Sequence, residues 1–337
     1  MNISVAALVR EAAEKYGGRT AYKDTERSLS FSEVDGLSAS AASWIAGRDM
    51  SGKPVLVLTD KSVYTPAVLL GVARAGCFYI PADVSQNINR LRQITESSAA
   101  GLMIVPGYAA DTAEQLGFEG CTVTREEVMG ADVSEELLRK TESGLRPDMP
   151  LYVIFTSGST GRPKGVLTPV SSLMNYIDAV NEVLDLRESD VIGNQSPLDY
   201  IAAVRDIYLP LYTGASDVLI PASCFSMAKD LADVLDREGV TVLCWSAAAM
   251  ELCLKLGLFE ELKTRNIREV LFSGSVLPGR VLRAWQEEFP GAVFINQYGP
   301  TEATASCTYY TVKEKADGST VLPIGVPYKN YGILLLK

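Results

Sequence analysis

The chain has 337 residues, enough to bury the core of one large domain or two modest ones. Its apolar fraction of 47% against 21% charged residues is that of a folded globular protein rather than a disordered one. The net charge is -10, with Lys and Arg scattered and never in runs, which argues against nucleic acid or a membrane surface as the main partner.

Residues 1–18 read as an amphipathic helix, and Glu11 and Glu14 interrupt it too early for a secretory signal. With no apolar stretch of about 18 residues, the expected location is cytoplasmic. PVLVLTD (54–60) predicts a strand and VYTPAVLLGVARAG a helix. FYIPAD, GLMIVPG and LYVIFTSGS follow as strand-like runs, the last breaking into a Gly/Ser/Thr loop. SDVLI, VTVLCW, REVLFSGS and AVFINQYG repeat the pattern later, with AKDLADVLDREG and PGRVLRAWQEEF as amphipathic helices. This alternation predicts α/β architecture in two sheet-and-helix lobes, with a boundary near 185–195. The last residues, YGILLLK, form an apolar strand-like run without a partner, so a cut from a longer protein is expected.

The cysteines, at 77, 121, 224, 244, 253 and 307, include no CxxC pair and mostly sit among apolar neighbours, which predicts reduced buried thiols. The chain contains no histidine. Ser-His and Cys-His catalysis and His-ligated zinc are therefore excluded within it.

Two strings carry chemistry. The first is TSGSTGRPKG, Thr156 to Gly165, directly after a predicted strand. Its small residues let backbone N–H groups and hydroxyls approach a polyphosphate, and Lys164 adds a mobile positive charge. It is not a Walker A loop, because Pro163 precedes the lysine and Gly165 follows it. The second is NQYGPTEAT, Asn296 to Thr304. There Tyr298 offers an aromatic face to a base, Thr301 a hydroxyl to phosphate, and Glu302 a hard oxygen ligand for Mg²⁺.

Together these strings resemble the phosphate loop and the adenine/metal motif of the adenylate-forming superfamily, which includes acyl-CoA synthetases, luciferases and peptide-synthetase adenylation domains. SLSFSEVDGLSASAASWI, ARAGCFYIPAD, LFSGSVLPGRVLRAW and IGVPYKN resemble further family segments in the expected order. NQSPLDYIAAVRDIYLPLYTG looks closest to the adenylation domains of nonribosomal peptide synthetases and D-alanine:carrier-protein ligases.

The resemblance implies the large N-terminal region of such an enzyme, layered αβαβα. A first lobe with the phosphate loop would span 1–190, a second with the acid pocket and the adenine/metal motif 191–322, and 323–337 would start a further subdomain. The implied reaction is ATP-dependent activation of a small carboxylic acid as acyl-adenylate, for loading onto the phosphopantetheine arm of a carrier protein. An acid:CoA ligase and a non-catalytic nucleotide-binding protein are the alternatives. Thr156, Ser157, Gly158, Ser159, Thr160, Gly161 and Lys164 would hold the outer phosphates. Gly274, Ser275, Asn296, Gln297, Tyr298 and Gly299 would frame the adenine, Thr301 would contact the α-phosphate, and Glu302 would hold Mg²⁺. The acid pocket would be lined by Ile201, Ala202, Arg205, Cys244, Leu271, Ser273, Gln297, Ala305 and Ser306. Ile201 stands where amino-acid-activating members carry an aspartate for the substrate ammonium, which implies an acid lacking the α-amino group. Asp199 is the alternative partner after a local shift of register, and Arg205 either reaches the substrate or pairs with a neighbouring acid. The family's ribose-binding aspartate and catalytic lysine would lie beyond residue 337.

Overall fold

The computed structural model describes residues 4–157 and 162–336. The chain opens with helix α1 (Val5–Tyr16), whose first turn is closed by the Ser4 hydroxyl accepting the Ala7 N–H at 3.2 Å. Strands β1 (Thr20–Lys23) and β2 (Ser28–Ser30) lead into α2 (Phe31–Ala46), which starts with a reciprocal Ser30–Glu33 capping box. Next come β3 (Pro54–Thr59), α3 (Tyr64–Arg74), β4 (Phe78–Asp83), α4 (Ile88–Ser98), β5 (Leu102–Val105), α5 (Ala110–Leu116), β6 (Cys121–Thr124), α6 (Arg125–Met129) and α7 (Glu135–Ser143). A hairpin of β7 (Pro150–Ser157) and β8 (Pro163–Pro169) precedes α8 (Val170–Leu184). The remainder runs β9 (Val191–Asn194), α9 (Ala203–Thr213), β10 (Ser216–Leu219), α10 (Ala228–Glu238), β11 (Val242–Ser246), α11 (Ala247–Leu256), α12 (Leu258–Glu261), β12 (Glu269–Ser273), α13 (Gly279–Glu288), β13 (Val293–Tyr298), β14 (Thr308–Thr311) and β15 (Val326–Pro327).

The chain divides into two compact units. One holds the residues up to Ala21, Ser28–Met174 and Pro197–Ile201; the other holds Tyr22–Arg27, Asn175–Ser196 and the residues from Ala202 on. The first unit carries a six-stranded sheet in the order β6-β5-β3-β4-β7-β8, parallel except for the β7–β8 hairpin. Its central strands bury every residue of Val55–Leu58 and Leu102–Val105, as a sheet covered on both faces requires. Helix α3 is buried nearly all round, and Gly71 lets it close on α2: a Cβ there would lie 2.6 Å from the Ala41 methyl.

The second unit carries β9 to β15 of a nine-stranded sheet, ordered β15-β14-β13-β12-β11-β9-β10-β1-β2 and parallel from β13 through β1. Its core contains Trp245 packed edge-on against Trp285 at 6.0 Å, with Phe225, Phe259 and Phe289 around them. The carboxyl ends of β11, β12 and β13 lie side by side, the place where parallel sheets present ligand sites.

The strand-like reading of YGILLLK is corrected. Residues 332–336 pair with no strand among the described residues, and Leu334 to Leu336 are exposed. An apolar run becomes a strand only where a neighbouring backbone offers hydrogen bonds, and ladder pairing in this region ends with β15.

Candidate active site

In the first unit, β7 delivers the Thr156 string. The reading of a loop from Thr156 to Gly165 is too broad, because β8 already begins at Pro163 and sets Lys164 opposite Thr156 in antiparallel register. Proline and glycine mask this strand in the sequence, but both are tolerated at a sheet edge, which β8 is. Thr156 Oγ1 lies 3.5 Å from the Lys164 carbonyl oxygen. The Lys164 side chain is exposed and forms no ion pair among the described residues, so its charge is available to an anion. Gly158, Ser159, Thr160 and Gly161 lie outside the described residues.

In the second unit, the ends of β12 and β13 border a cavity of about 300 Å³. It is lined by Gly274, Ser275, Val276, Leu277, Asn296, Gln297, Tyr298, Gly299, Leu322 and Ile324. All six residues assigned to the adenine site therefore come together here. Tyr298 is half exposed, and the Asn296 amide donates to the Pro323 carbonyl at 2.9 Å, tying the 322–324 wall to β13. Gly299 is a steric necessity. A Cβ there would stand 2.4 Å from Ser306 Cα and 2.7 Å from the Cys307 nitrogen, both backbone atoms. Past it, Thr301–Ala303 forms a single 3₁₀ turn, and Thr304 and Ala305 take positive φ values of 55° and 72°. Held strain of this kind clusters at functional turns. Glu302 is exposed on that turn and makes no ion pair among the described residues, where no group of three metal-ligating side chains occurs either. A lone hard carboxylate fits Mg²⁺ held mainly by phosphate and water oxygens.

Of the residues assigned to the acid pocket within this unit, Arg205, Cys244, Gln297 and Ser306 are joined by hydrogen bonds. Arg205 is buried in α9 and pairs with the equally buried Asp206 at 2.9 Å. Its other donors go to Gln297 Oε1 at 3.2 Å and the Cys244 carbonyl at 3.3 Å. Asp206 also accepts from Asn194 at 2.7 Å, Gln297 donates to the Tyr328 hydroxyl, and Ser306 donates to Gln297 at 3.4 Å. The pairing of Arg205 with a neighbouring acid thus holds, but inside the protein rather than at its surface. Cys244 and Leu271 are register partners on β11 and β12, as are Ser246 and Ser273. Burial pushes the Cys244 thiol up, which removes it as a nucleophile.

Three participants were not readable from sequence. Arg90 of α4 donates to the Phe155 carbonyl at 3.2 Å, fastening the end of β7 just before Thr156. Asp83, at the end of β4, donates its backbone N–H to Asp199 at 3.1 Å, and the Gln86 amide donates to the same Asp199 oxygen. Burial raises the Asp199 carboxyl above its ordinary value; the Asp83 N–H opposes this and the Asp83 carboxylate adds to it. These partners lie 65, 116 and 113 positions apart, so no local pattern announces them. Ile201, two residues on, is buried in the same unit.

The profile of a family described as AMP-binding enzyme matches residues 9–337. A D-alanine--D-alanyl carrier protein ligase of Bacillus cereus (strain ZK / E33L) is 30% identical over 332 residues, covering 95% of this chain and 63% of the relative. A protein of the same name from Bacillus mycoides (strain KBAB4) matches with the same identity and coverage. The chain thus spans less than two thirds of these relatives. Among solved structures, the nonribosomal peptide synthetase FmoA3 superposes with a TM-score of 0.86 at 22% identity, covering 98% of this chain and 35% of that one. VinN gives 0.78 at 20% identity, covering 91% and 77%. At these identities the structural likeness speaks for the fold.

Proposed function

The chain belongs to the AMP-binding enzyme family, and from that premise we propose that it activates a small carboxylic acid with ATP as an acyl-adenylate for transfer to a carrier protein. The observation that carries this reading is the cavity at the ends of β12 and β13, which gathers Gly274, Ser275, Asn296, Gln297, Tyr298 and Gly299 from two separate stretches of chain. The carrier-protein ligase names of the relatives support the destination of the acyl group.

In the reaction, a carboxylate oxygen bonds to the α-phosphorus of ATP while the bond from that phosphorus to the pyrophosphate oxygen breaks. Carboxylic acids have pKa values of about 4, so the nucleophile is already ionised at neutral pH. No general base is needed, which suits a chain without histidine. The work is to position two anions and to offset charge in the transition state. Thr156, Ser157, Gly158, Ser159, Thr160, Gly161 and Lys164 take the outer phosphates, and Thr301 the α-phosphate. Glu302 would hold Mg²⁺, which would supply neutralisation of phosphate charge. The domain limits 1–190, 191–322 and 323–337 belong to the same proposal.

The acid lacks an α-ammonium in this reading. Ile201 presents no charge, and an unpaired ammonium would lose its hydration without replacement. Arg205 is neutralised by Asp206 and bonded to protein acceptors, so it neither repels nor anchors the α-position.

The test is ATP–pyrophosphate exchange, with a panel of small acids, by a protein that joins this chain to the relatives' remaining third. Lys164→Ala and Glu302→Ala should each lower exchange by about 10²–10³ while leaving the unfolding temperature in place. Absence of acid-dependent exchange, or full activity in both variants, overturns the reading.

A further inference from the structure

We propose that Asp199 is a positioning residue for the acid-binding segment, held by Gln86, and not a partner of the substrate itself; this rests on the reading above. The segment Pro197–Ile201 comes late in the sequence but packs in the first unit, together with β4 and α4. It forms a turn closed by the Tyr200 N–H on the Pro197 carbonyl at 3.0 Å. Leu198 and Ile201 are buried and Tyr200 is turned outward. One polar side chain on the inner side fastens this turn: Asp199, whose single Oδ2 atom accepts both the Asp83 N–H and the Gln86 amide.

The donor side is built beforehand. The Asp83 carboxylate accepts the Ser85 N–H at 2.8 Å and the Ser85 hydroxyl, and the Asp83 carbonyl accepts the Gln86 N–H at 3.0 Å. This closes a compact turn after β4 and directs the Gln86 side chain. Gln86 Oε1 finds no partner among the described residues, so the Asp199 bond is what orients this amide. The Asp199 oxygen is thus occupied by two donors with covalent routes into β4, and the position of Ile201 follows from the turn they hold. Both bonds tie this carboxylate to the turn after β4, and moving it toward a substrate would break them.

Exchange kinetics of the chain joined to the relatives' remaining third test this with matched acids that differ only in an α-amino or α-hydroxy group. Gln86→Ala, at a half-buried position outside the residues assigned to ATP and the acid, should raise KM for the acid by about tenfold and leave KM for ATP unchanged. Asp199→Asn, which keeps the shape of the side chain, should raise KM by the same factor for both acids. An unchanged acid KM in Gln86→Ala overturns the proposal. So does a loss in Asp199→Asn confined to the α-amino acid, which would make Asp199 the ammonium partner. If the unsubstituted protein shows no acid-dependent exchange, the functional reading fails and takes this proposal with it; failure in the variants alone refutes only the positioning role.

Discussion

Glu269 sits at the start of β12, 2% exposed, at the end of the sheet opposite the cavity. Burial pushes its carboxyl up to about 8; the Arg268 guanidinium, 3.0 Å away, opposes this, and Asp190 and Asp185 add to it. Asp190 behaves differently. Burial would raise it too, but hydrogen bonds from Arg268, the Arg187 N–H and Thr241 hold it below its ordinary value. The signs therefore separate. The folded state binds the Glu269 proton more tightly than the unfolded chain, so this stabilisation is complete below the unfolded value of 4.5 and is lost as pH rises through about 8. Asp190 contributes above its unfolded value of 3.8, and its contribution is lost only in stronger acid. Between pH 5 and 8 the Glu269 effect is separate from that of Asp190, with a slope of at most about 1.4 kcal/mol per pH unit for one proton. Urea unfolding followed by tryptophan fluorescence should show stability falling across this window in the unsubstituted chain. Glu269→Gln keeps the shape and removes the proton, so it should flatten the dependence and raise the midpoint at pH 8.5. A slope that survives the substitution would assign the titration elsewhere.

At the scale of elements, runs whose burial is set by their own residues were readable: PVLVLTD became β3, FYIPAD β4, AVFINQYG β13, AKDLADVLDREG α10 and PGRVLRAWQEEF α13. Each carries its signal within itself, a continuous apolar run for the buried strands and a period of 3.6 for the helices. β8 was hidden by Pro163 and Gly165, and YGILLLK looked like a strand although pairing depends on a neighbour no local pattern supplies. The site divides the same way. Thr156, Lys164 and the cavity residues are legible as strings of small and polar residues, whereas Arg90, Gln86 and the engagement of Asp199 exist only through tertiary contact. Helix α4 fastens the β7–β8 hairpin, proposed to take the phosphates, through Arg90, whose charge-assisted bond to the Phe155 carbonyl is worth about 1.5–3 kcal/mol by type. Arg90→Ala should then raise KM for ATP by about tenfold or more, leave KM for the acid unchanged, and be partly rescued by Arg90→Lys. Equal loss for both substrates would mean that Arg90 supports the unit as a whole rather than the hairpin.

For the whole molecule, the decisive quantity is how much of the chemistry 337 residues can perform. The chain covers 63% of the curated relatives it matches, yet it contains the Thr156–Gly165 string, the cavity at β12 and β13, and Glu302. Ground-state binding and transition-state stabilisation draw on different groups. In the proposed reading nucleotide binding draws on residues within this chain, while the resemblance assigns the catalytic lysine and the ribose carboxylate to positions beyond 337. Loss of ribose hydrogen bonds costs on the order of 1.5–3 kcal/mol, roughly ten- to a hundredfold in affinity, which still leaves binding within reach of millimolar ATP. Loss of a donor aimed at developing charge costs about 10²–10³ in rate. The 337-residue chain should therefore show a thermal shift with millimolar ATP, larger with Mg²⁺ present. Its ATP–pyrophosphate exchange should be below about one hundredth of that of a protein carrying the relatives' remaining third. Full exchange by the 337-residue chain would show that a residue within it replaces the distant lysine. Folded protein that gives no shift at millimolar ATP would remove the cavity at β12 and β13 as a nucleotide site.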